Sequence, residues 1–148
     1  MNRTNFAVGA AALAAVVCST VPSFAQRPFL VKIRRVYQLE EKNGKCDLCH
    51  QIKPKEEPSE KNLNKFGQAI QADPAFKPLM GKGDKYEFSE KELAIVVKIV
   101  NSLDDKDSDG DGATNKEEMD LGYFPGDPKS TPTKKELADY RKKHPKAK

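Results

Sequence analysis

Five consecutive residues, Cys46-Asp47-Leu48-Cys49-His50, constrain this chain more than any other part of it. They form Cys-x-x-Cys-His, the attachment signature for a c-type haem. On a tight turn, two thiols at this spacing can each bond one vinyl group of a haem. The histidine that follows then reaches the iron as an axial ligand. The motif predicts one covalent haem c, attached through Cys46 and Cys49 and ligated by His50.

The first 25 residues are typical of a secretory signal peptide. Arg3 supplies a single positive charge, and residues 6–21 are an uncharged run rich in Ala and Val. Small residues then predict cleavage after Ala25, giving a periplasmic or secreted protein without stable membrane insertion. An uncleaved anchor and a lipid anchor on Cys18 are the alternatives. Cleavage removes Cys18, so the two remaining cysteines both belong to the motif, which suits an oxidising compartment.

Paired cysteines also occur in other sites, and the sequence leaves three of these open. A thioredoxin-like redox pair belongs in a βαβ setting, whereas this chain shows little strand patterning. A structural zinc site takes four ligands, and outside the motif only the distant His144 would remain to complete one. A plain disulfide would leave the histidine of the motif unexplained.

Residues 26–103 are predicted to be a mainly α domain around the haem. Apolar side chains recur at helical spacing over residues 28–42, 63–70 and 88–103. Ser89 and Glu92 predict a capping box for the third of these helices, which favours helix over a buried strand for its apolar run.

Three further features complete this domain and the end of the chain. Asn62 is predicted to cap the second helix, and Gly67 to let that helix approach a neighbour closely. Residues 73–84 are rich in Pro and Gly and predict a loop. Residues 129–148 are basic, and Thr133 and Glu136 predict a second capping box, which opens a short helix before a solvated tail.

Residues 104–128 contain a second motif, an EF-hand-like calcium loop. Calcium takes six to eight oxygen ligands, here expected from positions 1, 3, 5, 7, 9 and 12 of a twelve-residue loop. These positions are Asp107, Asp109, Asp111, Ala113 (through its carbonyl), Asn115 and Glu118, with Gly112 at the turn. Beginning the loop at Asp105 would place Lys116 at position 12, where a cation repels the ion. The alternative is a solvated acidic turn.

The second axial ligand of the predicted haem is less constrained. Electron-transfer cytochromes usually use Met or His there. Met80, in the Pro/Gly loop, is the predicted ligand, and Met119, His144 or no protein ligand are the alternatives.

With these motifs, the chain resembles the small secreted monohaem c-type cytochromes, in which the haem motif lies near the start of the mature chain. The resemblance rests on Cys46, Cys49 and His50 and on residues 107–118, which are also similar to the calcium loops of dockerins and thrombospondin type 3 repeats. It implies a class I cytochrome c-like helical domain around one haem, with one structural calcium ion. It also implies single-electron transfer between redox partner proteins.

Other functions follow from the same residues. A five-coordinate haem would bind gases or peroxide, and an accessory subunit would bring its haem to a larger redox complex. The formal net charge of +4 is mild and predicts no nucleic-acid partner. The sequence contains no evident acid–base pair, Ser/His/Asp set or phosphate loop, so an electron carrier is expected rather than an enzyme. It does not indicate an oligomeric state.

Overall fold

The structure, a computed structural model, describes residues 27–82 and 86–145. The predicted signal peptide and Cys18 lie outside these residues, as does the end of the 73–84 loop. The described residues form five α-helices: α1 Arg27–Tyr37, α2 Lys65–Ala72, α3 Glu90–Ser102, α4 Asn115–Leu121 and α5 Lys134–Lys143. Three 3-10 segments connect them: Cys46–Leu48, Glu60–Asn62 and Pro74–Leu79. The mainly α prediction is confirmed.

Helix α3 is the centre of the packing. Helix α1 lies along it, and α2 and the Pro74–Leu79 segment pack on it as well. The apolar stripe of α3 provides Val96, Ile99 and Val100 to the core. Because every α3 residue at 95–97 is helical, the competing strand interpretation is wrong.

The hydrophobic core includes residues of helices α1 to α4 and of two of the 3-10 segments. Its fully or almost fully buried members come from α1, the Cys46–Leu48 turn, α2, the Pro74–Leu79 segment, α3 and α4: Phe29, Ile33, Leu48, Phe66, Ile70, Leu79, Val96, Ile99, Val100 and Met119. Phe29 also packs its ring against Phe88, with the ring centroids 4.6 Å apart. The segment after α3 is therefore part of the same packed unit as the helices before it.

Two helix boundaries differ from the prediction. Helix α1 ends at Tyr37, five residues before the predicted end, because Gln38 turns into the left-handed region at φ 53°. The N-cap of α2 is Asn64 and not Asn62, since the Asn64 side chain accepts the hydrogen bond from the backbone N–H of Gly67. The residues predicted as a loop at 73–84 include the 3-10 segment Pro74–Leu79.

Both predicted capping boxes are confirmed. Ser89 accepts from the backbone N–H of Glu92 at the start of α3, and Thr133 accepts from that of Glu136 at the start of α5. Helix α5 then packs against α4.

Polar contacts hold α5 in place. The Arg141 guanidinium donates to both carboxylate oxygens of Glu117 at 2.7 and 2.8 Å, and to the carbonyl of Gly112 at 3.1 Å. Tyr140 donates its hydroxyl to Asp120 of α4. The C-terminal helix is therefore fixed to the acidic loop and its following helix.

Strands do not contribute to the described part of the chain beyond one isolated antiparallel bridge between His50 and Leu63. No helix in residues 27–82 and 86–145 combines the length and apolar character that crossing a bilayer requires.

Candidate functional site

The Cys-x-x-Cys-His turn (residues 46–50) is a tight turn closed by its own backbone. The N–H groups of Cys49 and His50 both donate to the carbonyl of Cys46, at 3.1 and 2.9 Å. Leu48 points into the core and is 1% exposed, whereas Cys46 and Cys49 are half-buried and are not joined in a disulfide. Both thiols therefore lie on one short turn with their sulfurs free.

Asn64 ties this turn to helix α2. Its side-chain nitrogen donates to the carbonyls of Asp47 and Leu48, at 2.9 and 3.2 Å, while its oxygen caps α2 through Gly67. Only 5% of Asn64 is exposed. Sequence reasoning missed this residue because two asparagines lie near the start of α2. No local signal separates the two, because the backbone N–H that an N-cap side chain binds is present in every residue type except proline.

Gly67 makes the closest approach between α2 and the turn. A Cβ atom at this position would overlap the carbonyl oxygen of Cys49 and crowd the Leu63 side chain. The backbone of α2 thus rests directly on the second cysteine, and the expectation of a close approach at Gly67 is confirmed.

His50 is held from its backbone and from its ring. Two backbone hydrogen bonds flank its antiparallel bridge to Leu63. The N–H of Gln51 donates to the carbonyl of Asn62 at 2.7 Å, and the N–H of Asn64 donates to the carbonyl of Cys49 at 3.0 Å. The ring nitrogen Nδ1 lies 3.1 Å from the side-chain oxygen of Asn62. One edge of the imidazole is therefore engaged by the protein.

The geometry bears on the rival interpretations of the two thiols. Among the described residues, the acidic side chains at 107, 109 and 111 are the one group of three His, Cys, Asp or Glu ligand atoms that converge within 4.8 Å. Cys46, Cys49 and His50 do not converge in this way, as ligands of a zinc ion must. Burial, with a smaller effect of Cys46, raises the pKa of Cys49 to about 12. A reactive redox thiol needs the opposite shift.

The three candidates for the second axial ligand lie in different surroundings. Met80 follows the Pro74–Leu79 segment and is 37% exposed, while its neighbour Leu79 enters the core. Met119 is a core residue, 3% exposed. His144 is exposed and stacks on Tyr140, with the ring centroids 4.2 Å apart.

In the acidic loop (residues 107–118), three aspartates present their carboxylates to one point. Ligand oxygens of Asp107, Asp109 and Asp111 all lie within 4.8 Å of one another. Both oxygens of Asp107 accept from backbone N–H groups further along the loop, and so does one oxygen each of Asp109 and Asp111, for example Asp111 from Ala113 at 2.8 Å. The second oxygens of Asp109 and Asp111 are buried and have no partner. Gly112 reaches φ 98°, which permits the turn.

Glu118 follows the three aspartates in the first turn of α4, and its carboxylate is not among the oxygens that converge within 4.8 Å. The residue is completely buried, and neither of its carboxylate oxygens has a hydrogen-bond partner. Burial, reinforced by the charges of Asp109, Asp111, Asp107 and Asp127, raises the pKa of Glu118 to about 9. Burial and Asp111 likewise raise the pKa of Asp109 to about 6. Buried carboxylates without partners are costly, and either protonation or a bound cation relieves that cost.

Two residues compete for position 12 of the loop, Lys116 and Glu118, and their surroundings indicate where the twelve-residue loop begins. Lys116, at position 12 if the loop began at Asp105, is directed outward and pairs with Asp120 at 2.7 Å. Glu118 occupies the interior. The arrangement favours the register that begins at Asp107.

Asn115, predicted as a ligand, also fastens the loop to α3. Its side-chain nitrogen donates to the carbonyl of Leu103 at 2.7 Å, and its oxygen accepts from the N–H of Ser108 at 3.2 Å. Asn115 and Ala113 are both fully buried. Asn115, at position 9, therefore has a structural role that does not depend on a bound ion.

Asp127 is an acidic neighbour of the loop that the twelve-residue pattern did not include. It lies nine positions beyond Glu118, in the turn after α4, yet its charge contributes to the raised pKa of Glu118. Because the turn at Gly122 folds the chain back, only the structure reveals this proximity.

Comparisons with protein-family models, with curated proteins and with solved structures gave no significant match to this chain. The assignment of function therefore depends on the site itself.

Proposed function

We propose that this protein is a periplasmic or secreted c-type cytochrome that carries single electrons between redox partner proteins. The observation that supports this most directly is the Cys-x-x-Cys-His turn. It presents two unbonded thiols on a single turn, beside a histidine whose Nδ1 is engaged by Asn62. This arrangement suits covalent attachment followed by ligation through the other ring nitrogen.

In this proposal Cys46 and Cys49 hold the haem by thioether bonds and His50 ligates its iron. The bound haem supplies the one-electron chemistry. Asn64 and Gly67 keep the turn against α2, so the attachment points move little. Leu48 anchors the same turn in the apolar core, which provides a surrounding of low dielectric constant.

We further propose that the acidic loop binds one calcium ion as a structural element. Support comes from the converging carboxylates and from the orphaned oxygens of buried Glu118, which a hard divalent cation would satisfy. The loop is tied to α3 through Asn115 and to α5 through Arg141. An ion there would therefore stabilise the junction of three helices.

A five-coordinate haem protein that binds gases or peroxide is the second candidate. It is favoured by the exposure of Met80, because Leu79 and not Met80 occupies the core position after the Pro74–Leu79 segment. An accessory haem subunit of a larger complex remains a third proposal, for which co-purification of a partner is the test.

Visible spectra of the protein matured in a haem-attaching periplasm, with and without carbon monoxide, separate these functions. An electron carrier ligated by Met80 would be low-spin and insensitive to carbon monoxide, and Met80→Ala would convert it to a high-spin form. An open site would be high-spin in the native protein and unchanged by Met80→Ala. Absence of covalent haem would refute both.

A further inference from the structure

Two backbone partners determine which terminal atom of the Asn62 side chain is oxygen and which is nitrogen. Its oxygen accepts the backbone N–H of Ser59 at 2.8 Å, and its nitrogen donates to the backbone carbonyl of Glu57 at 2.8 Å. A backbone N–H can only donate and a carbonyl can only accept. Exchanging the oxygen and nitrogen of this amide would therefore break both bonds, which assigns the amide on chemical grounds.

This orientation in turn assigns the proton of His50. The Asn62 oxygen that lies 3.1 Å from Nδ1 has no proton to give, so Nδ1 must be the donor. A neutral imidazole carries one ring proton, and its lone pair is then on Nε2. The backbone bonds across the His50–Leu63 bridge hold both residues of this pair in register.

We propose that Asn62 is a positioning residue for His50, fixing the tautomer that offers Nε2 as the ligand nitrogen and tuning that nitrogen's donor strength. The tautomer follows from the contacts alone, whereas the effect on a metal rests on the proposed haem function. Asn62 acts as a side-chain acceptor on a proximal histidine and is itself held by two other bonds.

The physical consequence is a dependence of the reduction potential on residue 62. An acceptor on Nδ1–H increases the basicity of the ligating nitrogen. A more basic ligand favours the oxidised iron and lowers the potential. Aspartate is a stronger acceptor than asparagine, and leucine, of similar size, accepts nothing, so the three residues form a graded series.

The test compares Asn62→Asp and Asn62→Leu with the native full-length protein matured with haem. We expect the potential to fall in Asn62→Asp and to rise in Asn62→Leu, with the same spin state throughout. Asn101→Leu is the matched control: this exposed asparagine on α3 receives the hydroxyl of Tyr37 and should leave the potential unchanged. If Asn62→Leu does not fold, the potential and the His50 ring shifts of Asn62→Asp decide together, because this variant keeps both accepting contacts and loses only the donor to Glu57.

A second measurement is independent of haem. Nitrogen-15 shifts of the His50 ring in the full chain before haem attachment should show a protonated Nδ1 and an unprotonated Nε2, and a mixed tautomer in Asn62→Leu. Equal potentials in all folded variants, or an Nε2-protonated ring in the native chain, would overturn the proposal. If haem never attaches, the proposed function fails, and the ring shifts alone decide the role of Asn62.

Discussion

At the scale of single residues, the fit between α2 and the Cys-x-x-Cys-His turn depends on a missing side chain. Gly67→Ala should lower the free energy of unfolding by about 1–3 kcal/mol, although alanine favours helix by about 1 kcal/mol. The reason is that the new Cβ would meet the carbonyl of Cys49, a backbone atom that cannot rotate away. Denaturant unfolding of the two proteins measures the difference.

Lys65→Ala provides the control for Gly67→Ala. It changes an exposed position in the same helix and should shift stability by no more than about 0.5 kcal/mol. A Gly67→Ala protein as stable as the native one would show that the turn and α2 are not in contact.

Glu118 is the second single residue with a testable effect, in this case on calcium binding. Glu118→Gln should weaken calcium binding at least tenfold, about 1.4 kcal/mol, because it removes the charge of the closing ligand. Titration calorimetry with calcium measures this. Asp105→Asn is the control that separates the two registers: it should leave binding unchanged if the loop begins at Asp107, and weaken it if the loop begins at Asp105.

At the scale of helices and turns, the sequence predicted the helix boundaries that short-range contacts determine. The caps of α3 and α5 are local, since each box closes within three residues, and Ser89 and Thr133 are where the pattern predicts them. The end of α1 and the cap of α2 depend on tertiary contacts. Asn62 is a plausible cap by sequence, but its side chain is used by Ser59, Glu57 and His50, which leaves the cap to Asn64.

The start of α3 yields a prediction about pH. The Glu92 carboxylate accepts hydrogen bonds from the Lys82 ammonium, from Ser89 and from the Tyr86 hydroxyl. These contacts lower its pKa from an ordinary 4.5 to about 2. The folded state thus binds this proton less readily than the unfolded state. Its stabilisation is complete above about pH 4.5 and is lost as pH falls towards 2.

Glu92→Gln removes this titration and tests it. The native protein should be the more stable of the two at neutral pH, and the gap should close between pH 4.5 and about 2. Thermal unfolding across that range measures it, with Lys91→Ala as a control for the exposed first turn. A stability difference between the two proteins that stays constant with pH would mean that the hydrogen bonds to Glu92 do not favour its charged form.

At the scale of the whole molecule, the two motifs of the sequence are parts of one packed structure. Met119, an alternative haem ligand by sequence, lies in the same core as the buried residues of α3. The turn after α4 also packs on the residue that holds the turn with the cysteines: a Cβ at Gly126 would overlap the side-chain amide of Asn64, which donates to the carbonyls of Asp47 and Leu48. Contacts between residues so far apart in sequence have no local signal.

This packing predicts that calcium stabilises the haem end of the molecule as well as its own loop. Calcium at a hundredfold excess over its dissociation constant should add about 2.7 kcal/mol to the stability of the whole unit. Removing it with a chelator should therefore lower the thermal midpoints of the helical signal and of the haem signal together. Circular dichroism in the far-ultraviolet reports the helical signal, and in the Soret band it reports the haem signal. At the same calcium concentration, both midpoints of Glu118→Gln should respond to calcium and chelator less than those of the native protein. Two separated transitions, with only the helical signal sensitive to calcium, would show that the acidic loop and the Cys-x-x-Cys-His turn unfold independently, although the turn after α4 contacts Asn64.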